Sequence, residues 1–176
     1  RTKFLVENPL ESFIPVRERG PGPMQAKVHI KKGEELDVFG LLEDRGVISW
    51  LADSEVYKDE TGSCLNGMFG VLKPGKFTES GHPVLRVIMN LIPANRLFQV
   101  IHGDVHLLPS GSAWIPLVVN ENEELRISQG DMSAAFYLYS IPQAWHRFLC
   151  FNFSVDGAAI GRLPGKLYRS EERRVG

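Results

Sequence analysis

Hydrophobic positions along this chain come in short, interrupted patterns. Residues 26–30 alternate apolar and polar side chains, which predicts a short strand. Leu36, Phe39 and Leu42 recur at three-residue steps, which predicts a helix over residues 34–46 with Gly46 as its C-terminal stop. Residues 50–62 are polar and irregular and predict no regular element. Residues 68–73 and 84–91 are apolar runs, the second rich in β-branched side chains. A loop holding Pro74, Gly75, Gly81 and Pro83 separates them, so they predict an antiparallel hairpin with a long tip. Pro93 is expected to end the second strand, and residues 96–101 to make one or two helical turns. Ser110 or Ser112 is placed to cap a short helix carrying Trp114, Leu117 and Val118. Residues 120–124 read as an acidic turn, and residues 125–128 as a short strand that leads through Gly130 into Asp131. Residues 134–141 have helical character and stop before Pro142, and residues 147–153 predict a further strand. Gly20-Pro21-Gly22-Pro23 is a rigid, turn-rich link after the first segment. No internal repeat or low-complexity tract interrupts this α+β pattern.

Composition narrows the picture only a little. The chain has 176 residues with 43% hydrophobic and 23% charged side chains, ordinary for a globular protein with one sizeable core. A formal net charge of -1 provides no global field toward nucleic acid, so any such contact needs a local basic face. Between Lys73 and Asp104 such a face is available, because Lys73, Lys76, Arg86 and Arg96 outnumber Glu79 and Asp104. It reads equally as a charged hairpin edge protected from pairing. Cys64 and Cys150 lack metal-ligand spacing and are expected to be buried thiols in a reducing compartment. No apolar run is long enough to span a membrane.

The chemistry-bearing position is Asp131. It stands at a predicted strand end before a small-residue turn, Ser133-Ala134-Ala135. A hard divalent cation needs carboxylates on such rigid edges, close to the phosphates it neutralises. From position alone, however, Asp131 reads as a helix N-cap. The surrounding residues change that weighting. Ser128-Gln129-Gly130-Asp131-Met132-Ser133-Ala134-Ala135-Phe136-Tyr137, followed by Ile141-Pro142, resembles the first palm motif of reverse transcriptases. Phe69-Gly70-Val71-Leu72-Lys73, a glycine-containing tip, and Leu85-Arg86-Val87-Ile88-Met89-Asn90 resemble the fingers hairpin of the same family. The resemblance runs from about Gln25 to Tyr168 and extends to reverse-transcriptase-like sequences of dinoflagellates.

The resemblance implies an α+β fragment made of fingers and the first part of a palm, with an incomplete sheet. Residues 1–24 would be an N-terminal segment and link, residues 25–124 the fingers-like region, and residues 125–168 the start of the palm. The implied activity is RNA-directed DNA synthesis in a retroelement, a nucleotidyl transfer that uses Mg2+ or Mn2+. Its partners are an RNA or DNA template with primer and deoxynucleoside triphosphates. Lys73 and Arg86 would grip the triphosphate, as a compact charge and a planar fork. Asp131 would bind metal through its carboxylate and Met132 through its backbone carbonyl. Ala134 and Ala135 would face the nucleotide, and Phe136 would lie under the sugar and exclude a ribose 2'-hydroxyl. The family implies an intracellular setting, nuclear or otherwise.

Three departures matter. The span from Phe136 to Pro142 is longer than in retroviral enzymes. Asn90 stands where many members carry Asp. No aromatic-x-Asp-Asp motif occurs, and no Asp-Asp pair occurs anywhere. Two-metal catalysis takes carboxylates from both segments, so the fragment is expected to be inactive alone, without the C-terminal palm and thumb of its parent. The only later aspartate, Asp156, reads as turn chemistry. Residues 169–176, Arg-Ser-Glu-Glu-Arg-Arg-Val-Gly, resemble one translated frame of a common sequencing adapter. On that reading they carry no fold or function, and the body without them has a formal charge of about -2. Missing palm strands are expected to leave a bare sheet edge and poor solubility.

The competing reading is a nonenzymatic nucleic-acid-binding domain derived from such a polymerase, which keeps the basic hairpin without the chemistry. A third is an unrelated globular domain in which Asp131 is a plain cap. His102 and His106, with Asp104 between them, read as a loop or surface pair because Gly103 weakens any helix there. Trp50, Trp114 and Trp145 read as core or interface anchors.

Overall fold

A computed structural model describes residues 4, 7–21, 24–100, 118–126, 130 and 140–172. The chain divides into two compact units, one formed by Arg1–Gln99 with Ala135–Gly176 and the other by Val100–Ala134. The described elements form a mixed α+β arrangement with antiparallel sheets.

In the first unit, α1 (Glu35–Asp44) opens with Glu35 and Asp37 in its first turn, where carboxylates oppose the helix dipole. Gly46 stops it as the pattern predicts. Its φ of 65° lets its N–H reach the carbonyl of Glu43 at 2.7 Å, while Val47 N–H reaches Leu42 at 2.9 Å. Phe39 is fully buried, whereas Leu36 is exposed. The cause is geometric: a three-residue step turns about 300°, so Leu36, Phe39 and Leu42 drift around the helix instead of sharing one line.

A three-stranded antiparallel sheet has the order β1 (Ile48–Ala52), β7 (Leu167–Glu172), β6 (Cys150–Asp156). Trp50 pairs with Ser170, and Tyr168 pairs with both Ala52 and Val155. β2 (Lys58–Asp59) and β3 (Gly62–Ser63) make a minimal hairpin. β4 (Gly67–Phe77) and β5 (Pro83–Asn90) make the long one, followed by the single helical turn α2 (Ile92–Asn95). A second helical turn, α3 (Gln143–His146), leads into β6.

Two aromatic clusters hold these elements together. Phe39 lies flat against Phe153, with ring centroids 4.7 Å apart, and Trp50 and Phe151 complete that core. In the second, Phe13 meets Tyr57, Phe98 and Phe148 edge-on at 5.1 to 5.4 Å, so the segment before the Gly-Pro link packs onto this unit. Trp50 is a core anchor whose indole N–H donates to Glu43 at 2.7 Å, and Trp145 packs on Phe98.

The predicted hairpin is present and longer than its apolar runs. Its tip narrows to residues 78–82, closed by Thr78 N–H on His82 O at 2.8 Å. Other expectations need correction. Residues 50–62 are not irregular throughout, because β1 extends to Ala52 and β2 and β3 follow. Ser49 and Ala52 blurred the strand pattern, and pairing with β7 supplies what local propensity lacks. Residues 26–30 form no strand: Val28 makes an isolated parallel bridge with Met68, and Gln25, just before the range, makes one with Leu65. The helical turn expected at 96–101 sits earlier, at Ile92–Asn95, where Pro93 is tolerated in a first turn. The strand expected at 147–153 begins at Cys150, after the α3 turn. Residues Arg169 to Glu172, expected to carry no fold, lie in β7, whose hydrogen bonds are made by backbone that any side chains can accompany.

Of the second unit, residues 118–126 include the predicted acidic turn. Glu123 N–H donates to Asn120 O at 3.0 Å, and the Glu123 carboxylate accepts from the Asn120 side chain at 2.8 Å. Leu125 and Arg126 are not in a strand. The helix expected around Trp114 lies outside the described residues, except for Val118; of that expected at 134–141 only Ser140 and Ile141 are described, and neither is helical.

Candidate functional site

The β4–β5 hairpin has two unlike faces. Met68 pairs with Met89 and Gly70 with Val87, and Met68, Met89 and Val87 pack on the Phe39–Trp50 core. Strand alternation therefore turns the other set outward: Phe69 opposite Ile88, and Val71 opposite Arg86. Lys73 stands two residues beyond Val71, directly after Leu72↔Leu85, the last regular pair before a register shift. It is the first residue of the irregular stretch that ends at Phe77↔Pro83, on the strand opposite Arg86. Both side chains are exposed. Among the described residues neither makes a side-chain hydrogen bond or ion pair, so the guanidinium fork and the ammonium face solvent with their donors unused. Gly75, at φ 67°, bends the backbone just past Lys73.

Asp131, Met132, Ala134, Ala135 and Phe136 lie outside the described residues, as do His102, Asp104 and His106. Among the described residues no group of three or more His, Cys, Asp or Glu could hold a metal ion. Asp156 is turn chemistry as read: its two carboxylate oxygens accept from Ala158 N–H at 2.8 Å and Gly165 N–H at 2.9 Å. Asn90, at the end of β5, accepts through Oδ1 from Ile92 N–H at 3.2 Å, where the chain enters α2.

The sharpest electrostatic feature is away from the hairpin. Burial would raise the Asp59 carboxyl, but hydrogen bonds from Thr61 and Arg19 outweigh it and hold it at about 2. Arg19 also donates to Ile14 O at 2.9 Å, so this pair ties the N-terminal segment to the β2–β3 hairpin. Burial pushes the thiol of Cys64 up to about 12 and that of Cys150 upward too, as expected for inert core thiols.

Sequence reasoning missed two places. Asn66 is a lone amide inside the apolar run Cys64-Leu65-Asn66-Gly67-Met68, and that isolation was its one available signal. The other is a cavity of about 880 Å³ lined by Ser49, His146, Arg147, Arg162 and Glu171. There Ser49 Oγ donates to Glu171 Oε1 at 2.5 Å, His146 Nδ1 lies 3.1 Å from the same oxygen, and His146 Nε2 is 3.0 Å from Ile141 O. Serine bonds to the carboxylate and not to the imidazole, so this is no hydrolase relay. We assign the cavity no role.

No described helix is long and apolar enough to cross a membrane. Compared with known proteins, the chain matches no family model and no curated sequence.

Proposed function

We propose that the chain is a fragment of a reverse-transcriptase-like polymerase, comprising fingers and the opening of a palm, whose parent carries out template-directed nucleotidyl transfer. The observation that supports this reading best is the pair of exposed cations on the two strands of the outer hairpin, Lys73 on β4 and Arg86 on β5, neither with a side-chain partner among the described residues. An ammonium and a guanidinium so placed suit the oxygens of a triphosphate. In this reading Ala134, Ala135 and Phe136 contact the nucleotide, and Asp131 and the Met132 carbonyl contribute to a Mg2+ or Mn2+ site. A single motif carboxylate does not fit a two-metal centre, so no catalytic step is assigned to this chain.

Titration of a Mg2+–deoxynucleoside triphosphate into the chain tests the reading. Arg86→Ala and Lys73→Ala should each weaken binding by about ten-fold or more, the scale of a lost charge-assisted hydrogen bond. Equal binding by the parent chain and both variants would overturn the assignment. Sequencing the source locus through the codons of residues 169–176 tests the parent activity, since an aromatic-x-Asp-Asp segment should follow.

A second reading, a nonenzymatic nucleic-acid-binding domain, draws on Phe77, which is 67% exposed and adjoins Lys76 at the same hairpin. An exposed aromatic beside cations suits base stacking and backbone contact. A natural stop codon in place of the aromatic-x-Asp-Asp segment, with single-strand binding retained, would favour it.

A further inference from the structure

Asn66 immediately precedes β4 and is fully buried. Its amide Nδ2 donates to Phe148 O at 2.9 Å and to Cys150 O at 3.2 Å, while its Oδ1 accepts from Ala94 N–H at 3.2 Å. Its backbone is committed as well. Asn66 N–H donates to Cys150 O at 2.8 Å, and Asn66 O accepts from Asn152 N–H at 2.8 Å. One residue thus ties the first strand of the long hairpin, the turn α2 that follows its second strand, and the entry to β6. One further polar tie lies beside it, the bridge at Met68, whose N–H donates to Lys27 O at 3.3 Å and whose O accepts from His29 N–H at 2.7 Å. The remaining contacts of the hairpin base on the Phe39–Trp50 core are apolar, which resist separation but not sliding or rotation.

We propose that Asn66 is the positioning residue of the β4–β5 hairpin, fixing the direction in which it projects from β6 and hence where Lys73 and Arg86 are held. The functional half of this inference rests on the triphosphate-binding reading above. The amide is specific to the task. It supplies two donors toward carbonyls and one acceptor toward an N–H, a set that neither a carboxylate nor an aliphatic side chain of that size offers. Aspartate keeps the shape and the acceptor but turns both donor contacts into oxygen facing oxygen.

The test uses spin labels at Ser80→Cys on the hairpin tip and Ser154→Cys on β6, both exposed positions, while Cys64 and Cys150 are fully buried. Double electron–electron resonance should give a narrow distance distribution for the otherwise unaltered chain and a broadened, shifted one for Asn66→Asp. In the unlabelled protein, Asn66→Asp should weaken Mg2+–dATP binding about ten-fold although Lys73 and Arg86 are intact, a typical effect of misplacing a binding group. Near-UV circular dichroism confirms folding, and Asn66→Ser serves if Asn66→Asp does not fold. An unchanged distribution in a folded variant overturns the inference, even if its thermal midpoint falls. A broadened distribution in a chain that binds no dATP upholds Asn66 as the hairpin's fixing point and overturns the nucleotide reading.

Discussion

The Arg19 guanidinium and the Asp59 carboxylate form an ion pair that is nearly closed to solvent, with 5% and 12% of their side chains exposed. The folded Asp59 pKa of about 2 lies below the unfolded value of about 3.9, so the unfolded chain binds protons first as pH falls. The contribution of the folded surroundings of Asp59, the hydrogen bonds from Thr61 together with the Arg19 pair, is about 2–3 kcal/mol on this linkage; it is complete above about pH 5 and is lost as pH falls toward 2. Urea unfolding of the chain and of Asp59→Asn from pH 2 to 7 should show a stability gap that closes in acid. A gap independent of pH would rule this out.

Phe39 is the hinge of the larger core. Fully buried and stacked on Phe153, it also leans on Trp50 at 6.0 Å and Phe151 at 6.2 Å. Phe39→Ala should cost about 3–5 kcal/mol, the range for a large aromatic lost from a packed site. The urea midpoint should drop accordingly, and a loss under 1 kcal/mol would mean that α1 does not pack as described.

Two glycines should respond in opposite directions. A Cβ on Gly157 would stand 2.2 Å from Leu163 O and 2.8 Å from the Tyr168 ring, so Gly157→Ala should destabilise by about 1–3 kcal/mol. Gly40, inside α1, has nothing within 4 Å, and Gly40→Ala should stabilise by about 0.5–1 kcal/mol through helix propensity. Thermal melts of both variants check the pair, and matching signs would contradict the placement of one of them.

Thiol chemistry offers a fourth check. Cys64 and Cys150 are fully buried, and at pH 8 a thiol held near 12 is ionised only to about one part in ten thousand. Ellman's reagent should titrate neither in the folded chain and both in denaturant. A rapid native reaction would place a cysteine at the surface.

The legible parts of the fold were those with local causes. Gly46 stopped α1 because a positive φ needs glycine, and residues 68–73 and 84–91 paired because two β-rich runs flank a Gly/Pro loop. β1 was illegible because its partner lies more than a hundred residues away and its sequence, Ile-Ser-Trp-Leu-Ala, alternates poorly. At the site, Lys73 and Arg86 were found by motif, and both stand exposed on the two strands of the hairpin. Asn66 was passed over because a buried amide looks like a turn residue until the carbonyls of Phe148 and Cys150 come near. Asp131 and its neighbours, on which the polymerase reading first rested, lie outside the described residues.

The strand order β1-β7-β6 also sets a clock. β4 and β5 are neighbours in sequence, and such a hairpin closes in about 1–10 μs. Ser49 and Glu171, on adjacent strands, are 122 residues apart. At a synthesis rate of about 5–20 residues per second, β1 waits roughly 6–24 s for the strand that pairs with it. Through that interval Trp50 has no sheet to lie in, and neighbouring nascent chains compete for it. How much protein is recovered should therefore depend on the length of that wait, and cooler, slower expression would lengthen it.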